Sequence, residues 1–192
     1  MPKKSSLPVV VAPRTYRALS IDVGKVNLGV YIEEFTNADD GRCLYLRRVD
    51  LTEAKKERVG TPLLMRLFAY LDTIKDLLTE CDFFVVEKQL KQNPEAQFVD
   101  HAIQSYLTIY YGAFKQIVSF ASKNKTKVFD DTKMTKYQRK KWAVEKAYHV
   151  FTTRNDFSSL AYLESLAKKD DVSDAMCQLD AFKAILFKKT KK

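Results

Sequence analysis

Tyr16-Arg17-Ala18-Leu19-Ser20-Ile21-Asp22 alternates apolar and polar side chains up to a carboxylate, Val23-Gly24 follows, and a second extended run covers Leu28 to Phe35. That pattern is a strand, a tight connection and a second strand. The turn residues Asp39-Asp40-Gly41 lead into a third extended run, Cys43 to Leu51, so the first fifty residues form an antiparallel meander. Pro62 then opens a helical pattern, with Leu63, Leu64, Leu67, Leu71, Ile74 and Leu78 recurring through about residue 80. It delivers the chain to Asp82-Phe83-Phe84-Val85-Val86-Glu87, whose two-sided apolar character suits a central strand buried on both faces.

Farther along, the spacing predicts a long helix from Pro94 to Ala121, a short strand at Lys127-Val128-Phe129, a basic helix from Lys136 to Thr152 and a last helix from Asp170 to Phe187. The order, three strands, helix, strand, helix, strand, helices, fits an α/β domain with one five-stranded mixed sheet flanked by helices. Residues 1–15 read as an N-terminal extension, 16–187 as the domain and 188–192 as a basic tail. On the long helix, Phe98, Ala102, Ser105, Ile109, Ala113, Ile117 and Phe120 share one stripe and read as core. Tyr106, Tyr110 and Tyr111 lie partly off it and suit a two-fold interface, while His101 reads as structural or partner-facing rather than as a metal ligand.

The chain has 192 residues with 46% apolar side chains and 12% aromatics, enough for one sizeable core and too apolar for a disordered segment. No apolar stretch approaches the roughly 20 residues needed to span a bilayer. The run Val9-Val10-Val11-Ala12 is too short for a secretory signal, and Pro2, Pro8 and Pro13 oppose the amphipathic helix of a mitochondrial transit peptide. Cys43, Cys81 and Cys177 are not spaced with one another, or with His101 or His149, as zinc ligands, and read as reduced, buried thiols.

The formal charge is +9 and unevenly placed. Residues 123–146 carry nine lysines and arginines against Asp130, Asp131 and Glu145, and residues 183–192 carry five lysines and no acid, which leaves the rest of the chain at −2. Concentrated positive charge beside a near-neutral body points to an anionic polymer, because each cation that meets a phosphate releases a condensed counterion. A solvated helix face and a frayed tail are the plainer reading.

Asp22 and Glu87 each close a predicted strand, at the sheet edge where α/β sites form, and Asp171 and Asp174 lie three apart on one face of a helix start. If the two strands are neighbours and that helix crosses their ends, the four carboxylates converge. Such a cluster needs cations to stay ionised, and hard oxygen ligands select Mg²⁺ or Mn²⁺. Two such ions about 3.5 to 4 Å apart activate a water and stabilise the leaving oxygen in a displacement at phosphorus. Each acid also has an ordinary reading, as a turn former after a strand or as a complement to a helix dipole. Glu87 resists that reading, since a glutamate closing Phe-Phe-Val-Val needs a cation to meet it.

Ser20-Ile21-Asp22-Val23-Gly24, Val85-Val86-Glu87-Lys88-Gln89 and Lys168-Lys169-Asp170-Asp171-Val172-Ser173-Asp174-Ala175, in that order, resemble motifs of the Holliday junction resolvases of poxviruses and related large DNA viruses. That family is grouped with RuvC and the mitochondrial resolvases in the RNase H-like superfamily. The resemblance implies an RNase H-like fold and a homodimeric, Mg²⁺-dependent endonuclease of DNA recombination and repair, with two ions per site and Mn²⁺ as a substitute. Four-way DNA junctions, nicked symmetrically on two opposing strands, are the implied substrate. It places the catalytic and metal-holding acids at Asp22, Glu87, Asp171 and Asp174, with a basic-helix lysine, Lys141 or its neighbour Lys140, as a further catalytic group. A fixed ammonium there lowers the barrier by meeting charge that grows on phosphate oxygens. Arg139, Lys140 and Lys141 equally read as backbone contacts, together with Lys133, Lys136, Lys88 and Gln89. Gln89 falls on the Glu87 side of an extended chain. Trp142 reads as a core residue or a stacking platform for an opened base. The implied setting is intracellular, at the site of viral DNA replication or in a mitochondrion, with no membrane and no nucleotide cofactor.

Three other functions share parts of this pattern. An actin-like ATPase also begins strand, Asp-x-Gly, strand, but it needs a second glycine-bearing phosphate hairpin, and after Gly60 only Gly112 remains. An RNase H-like nuclease of RNA–DNA hybrids, or a transposase, would share the acids. A non-catalytic junction-binding protein would share the basic surface.

Overall fold

The structure is a computed structural model that describes residues 14–54, 56–129 and 133–190. Most of the N-terminal extension, Asp130, Asp131 and the end of the lysine tail lie outside the described residues. Five strands form one sheet: β1 (Tyr16–Asp22), β2 (Leu28–Phe35), β3 (Arg42–Val49), β4 (Phe83–Lys88) and β5 (Gln116–Ala121), in the order β3-β2-β1-β4-β5. The meander β1-β2-β3 is antiparallel, whereas β4 joins β1, and β5 joins β4, in parallel.

Helices cover both faces. On one side, α1 (Thr61–Thr73), α2 (Lys75–Glu80) and α3 (Pro94–Tyr111) bury Leu63, Leu67, Leu71, Leu78, Val99 and Ile103 against Leu19, Ile21, Phe84 and Val86. On the other, α5 (Lys136–Thr153) and α7 (Asp170–Thr190), with α6 (Phe157–Ser165) packed against α5, bury Ala143, Phe151, Ala175 and Leu179 against Ala18, Tyr31 and Val85. The strict alternation of strand side chains decides which face each acid takes. Ala18 and Val85 belong to the α5/α7 side, so Asp22 and Glu87, spaced from them by even numbers, project to that side as well.

The helix expected from Pro94 to Ala121 ends at Tyr111, and residues 116–121 are the edge strand β5. Lys127-Val128-Phe129 is no strand: Lys127 closes the short helix α4 (Asn124–Lys127), and the other two follow it. The physical cause lies at Gly112, where α3 stops and a turn through Phe114 and Lys115 sends the chain to pair with β4. The apolar spacing of Ile117 and Phe120 therefore belongs to a strand. The stripe expected in the core holds only in part: Ala102 packs against the core, and Ile117 and Phe120 do so from β5, but Phe98 and Ile109 are 53% and 76% exposed, and the inward face of α3 is Ala96, Val99, Ile103 and Leu107. Of the tyrosines, Tyr106 is buried and donates its hydroxyl to Asp72 at 2.5 Å, Tyr111 packs on Phe84, and Tyr110 is exposed.

Two features anchor α7. Gly29, paired with Asp22 across β1 and β2, lies so close to the backbone of Asp171 that a Cβ would sit 2.3 Å from its carbonyl oxygen. Only glycine permits that approach, which sets the start of α7 against the end of β1. Farther along, Lys183 is fully buried and paired with Glu33, which also accepts from Tyr31 at 2.5 Å and meets Arg154 at 3.2 Å. Lys183 thus belongs to an internal ion network, and its charge is not part of the basic tail. Cys81 and Cys177 are buried and Cys43 partly so; all three are free, and burial pushes the Cys43 thiol up to about 11. Among the described residues, no helix is long and apolar enough to cross a membrane.

Candidate active site

Parallel pairing sets Ile21 opposite Val86, so the next residue on each strand, Asp22 and Glu87, emerges at the same sheet edge. Gln178 of α7 locks the two strands together behind them: its amide nitrogen donates to the Ser20 hydroxyl at 3.1 Å, the Ile21 carbonyl at 3.1 Å and the Val85 carbonyl at 3.0 Å. The third parallel strand, β5, ends at the same edge and passes into α4, which carries Lys125 to the site. The Lys125 ammonium lies 2.7 Å from Asp22 and 3.0 Å from Glu87, with 7% of its side chain exposed. Gln89 lies on the Glu87 side, as the alternation requires, and donates to the Glu87 carboxylate at 2.9 Å.

Asp174, one turn into α7, shares a cleft of about 150 Å³ with Glu87 and Lys125, and Lys136, Arg139 and Lys140 stand around its mouth. Trp142 also lines this cleft while packing partly into the core, its ring 6.2 Å from that of Phe129. Asp171 is turned to the margin, where Lys168 donates to both of its oxygens at 2.5 and 2.7 Å and Arg48 stands 4.0 Å away. Asp170 pairs with Lys140. Lys141 does not join the cluster: it is 65% exposed and 3.6 Å from Glu145, one turn along α5. Lys88, Lys133, Lys136 and Arg139 are exposed, as are His101 and His149. Lys125 is the one member of the cluster that sequence reasoning passed over, because it is a single lysine within a basic run.

The electrostatics are those of crowded acids around one cation. Burial pushes the Asp22 carboxyl well above its ordinary range, and Glu87 and Asp174 add to this against the opposing Lys125. Burial acts on Glu87 as well, but Lys125 and hydrogen bonds from Asp22 and Gln89 outweigh it and hold that carboxyl low. Burial and the neighbouring Glu87 raise Asp174, and burial raises Asp171 despite Lys168. Lys125 is held firmly protonated, since Asp22, Asp174 and Glu87 together outweigh its burial. Among the described residues, no three acidic, histidine or cysteine side chains close on one point as metal ligands. Asp22 and Glu87 do close on one cation, the Lys125 ammonium, and their donors are hard carboxylate oxygens. This chemistry fits a divalent ion such as Mg²⁺.

Residues 18–187 match the family described as Poxvirus A22 protein. The uncharacterized protein 170L of Invertebrate iridescent virus 6 is 33% identical over 145 residues, covering 64% of this chain and 59% of the relative. The uncharacterized protein 97L of Invertebrate iridescent virus 3 is 35% identical over 119 residues, covering 62% of this chain and 56% of the relative. The chain therefore spans somewhat over half the length of these curated relatives. Among solved structures, the Fowlpox virus resolvase in complex with its substrate Holliday junction DNA superposes with a TM-score of 0.63 at 15% identity, over 92% of this chain and 99% of that one. RuvC of Thermus thermophilus gives 0.63 at 16% identity, covering 91% and 97%. The yeast mitochondrial Holliday junction resolvase gives 0.60 at 15%, covering 88% and 78%. At these identities the superpositions speak for the fold, which is RNase H-like, and the match along residues 18–187 speaks for descent: this chain belongs to the family described as Poxvirus A22 protein.

Proposed function

We propose that this chain is a Mg²⁺-dependent endodeoxyribonuclease that resolves four-way DNA junctions by paired symmetric nicks, acting as a homodimer where viral DNA replicates. The observation that carries the proposal is the convergence of Asp22, Glu87 and Asp174 on one edge of the sheet, beneath a mouth of Lys136, Arg139 and Lys140. Asp22, Glu87 and Asp174, with Asp171 beside them, would hold the ions. When bound, two such ions, Mg²⁺ or Mn²⁺, activate water and stabilise the leaving oxygen of the phosphodiester. The chain's own groups do the rest. Lys136 and Arg139 hold the phosphate backbone over the cleft by charge. Gln89 fixes the rotamer of Glu87. Lys125, an ammonium that stays charged, faces the centre where phosphate oxygens gain charge in the transition state.

The test compares a four-way junction, a linear duplex and an RNA–DNA hybrid as substrates in Mg²⁺ at low salt. Symmetric paired nicks confined to the junction are expected. Cleavage of the hybrid would reassign the fold to another nuclease activity, and binding without cleavage in Mg²⁺ or Mn²⁺ would leave a DNA-binding protein. Lys141, exposed at the outer side of α5, is assigned to backbone contact. Lys141→Ala is accordingly expected to retain cleavage at saturating protein while weakening binding and lowering the salt slope by about 0.9, one counterion's worth. Titration of affinity against salt checks this, and lost cleavage with intact binding would make Lys141 catalytic instead.

Two opposed nicks require two sites related by a two-fold axis. The outer side of α3 supplies an apolar surface for that contact, with Phe98 and Ile109 exposed beside Tyr110 and Phe114, which are 64% and 88% exposed. Ile109→Glu is expected to convert the dimer to a monomer by light scattering at micromolar concentration. Stability should change by only about 0.5 kcal/mol, since the position is on the surface of the protomer. A wild-type protein already monomeric at that concentration would refute the assignment.

A further inference from the structure

Asp22, Gly29 and Arg48 pair in one row across β1, β2 and β3, and side chains in such a row share a face of the sheet. The backbone of Asp171 crosses that row at Gly29, which leaves Asp22 on one flank of the start of α7 and Arg48 on the other. The Asp171 carboxylate lies on the Arg48 flank, 4.0 Å from its guanidinium, and Lys168 donates to both carboxylate oxygens at 2.5 and 2.7 Å. Arg48 is tied in place, since its Nε donates to Asn27 at 2.8 Å and its backbone nitrogen to the Tyr162 hydroxyl at 2.9 Å. Lys168 differs. Its side chain is 40% exposed against 11% for Asp171, so it covers the carboxylate from the solvent side. The backbone beside it is held: the Lys169 ammonium donates to the Leu166 carbonyl at 2.7 Å, and the Lys169 carbonyl accepts from the Ser173 hydroxyl at 2.8 Å. The movable part of this arrangement is therefore the Lys168 side chain, whose flexible stem is open to solvent.

Both oxygens of Asp171 accept from one ammonium, so Lys168 must leave before that carboxylate can hold a divalent ion. A DNA phosphate at the cleft gives the ammonium somewhere to go. Lys168 and Lys140 both face Asp170, Lys168 at 3.7 Å, and Lys140 stands at the mouth of the cleft. We propose that Lys168 is a positioning residue that couples metal to DNA: it guards Asp171 as an internal counterion and passes to a DNA phosphate when Asp171 takes up a divalent ion. The inference rests on the metal-dependent activity proposed above and adds to it a reason for metal and DNA to bind more tightly together than apart. A change of side-chain rotamer turns the freed carboxylate toward Asp174, its i+3 neighbour on the same helix face, without moving the backbone that Gly29 fixes. By linkage, DNA that draws Lys168 away strengthens metal binding by the same factor as metal strengthens DNA binding.

Mn²⁺ uptake by the full chain, followed through the electron paramagnetic resonance of the free ion, tests the guarding role with no substrate present. Lys168→Met is expected to tighten Mn²⁺ binding about tenfold, and Lys168→Arg, which keeps the charge, to stay near wild type. The same methionine in an Asp171→Asn protein, or in place of the exposed Lys141, should change affinity by less than about twofold. A positive charge acting only at a distance would instead give equal tightening in every case. Coupling is read from the salt dependence of binding to a linear duplex, which the proposed activity leaves uncut. On replacing chelator by Mg²⁺, the salt slope should steepen by about 0.9 more in the wild-type protein than in Lys168→Met, one counterion's worth. Mn²⁺ affinity unchanged or weakened in Lys168→Met, equal tightening in the control variants, or equal slope changes in the two proteins overturns the role of Lys168 alone. A wild-type protein that takes up no Mn²⁺, or that cuts the linear duplex, overturns the activity on which that role rests.

Discussion

Asp174→Asn and Glu87→Gln will each abolish junction cleavage, by about a thousandfold or more, while leaving junction affinity within a few fold of wild type. Both replacements keep shape and remove one anionic oxygen from a site whose work depends on negative charge. Neither side chain belongs to the exposed basic mouth that meets the DNA backbone, so binding should survive. The two variants should differ in stability. Burial and Glu87 already disfavour the ionised form of Asp174, so a neutral amide relieves repulsion and should raise the melting temperature in the absence of divalent ions. Glu87 is held ionised by Lys125, Asp22 and Gln89, so its amide loses an ion pair and should lower it. Gel assays on a labelled junction, gel-shift binding and thermal melts of the three proteins check this. Cleavage retained in Asp174→Asn would remove Asp174 from the site. Asp171→Asn, whose acid now faces Lys168, should show a smaller stability change than either.

The acids were legible in the sequence because strand period and strand end fix them independently. Asp22 and Glu87 terminate strands whose apolar residues alternate or run continuously, and parallel pairing of those strands was the remaining unknown, settled by Ile21 opposite Val86. The order of elements and the mixed sheet followed from the same patterns. β5 was not legible. Gln116-Ile117-Val118-Ser119-Phe120-Ala121 carries apolar residues at spacings that continue the helical pattern of α3, and an edge strand that is only partly buried, with Ile117 toward one helical layer and Val118 and Phe120 toward the other, has no long continuous apolar run to mark it. Gly112 was the available stop signal, as a helix C-terminus commonly takes glycine. Misplacing β5 hid Lys125, since only a strand ending at Ala121 brings that lysine to the acids. Counting charge along the chain had a related cost. Lys125, Lys140, Lys146 and Lys183 were all counted as free cations, yet each faces a carboxylate in the fold. The exposed charge that the proposal assigns to DNA is that of Lys133, Lys136, Arg139 and Lys141, the last of them beside Glu145.

Lys125→Met should have the largest effect on both folding and chemistry, and divalent ions should separate the two. Methionine preserves the length of the side chain and deletes the charge that now balances Asp22 and Glu87 at 2.7 and 3.0 Å. Without it, buried carboxylates face one another in a space from which water is largely excluded. Breaking a buried pair by removing one partner costs about 3 to 5 kcal/mol. For a chain of this size the melting temperature should fall on the order of 10 °C in the presence of a chelator. Mg²⁺ supplies a cation to the same oxygens and binds the folded state alone, so it should restore most of that loss and stabilise the variant more than the wild-type protein. Cleavage should not recover with it. If the ammonium meets charge on the phosphate in the transition state, its removal leaves the reaction about a hundredfold slower even with the fold restored. Thermal melts with and without Mg²⁺, paired with single-turnover cleavage at saturating Mg²⁺, measure the two effects separately. Recovery of both stability and rate would reduce Lys125 to a counterion that holds the acids together until a metal arrives, whereas recovery of stability alone places it in the reaction.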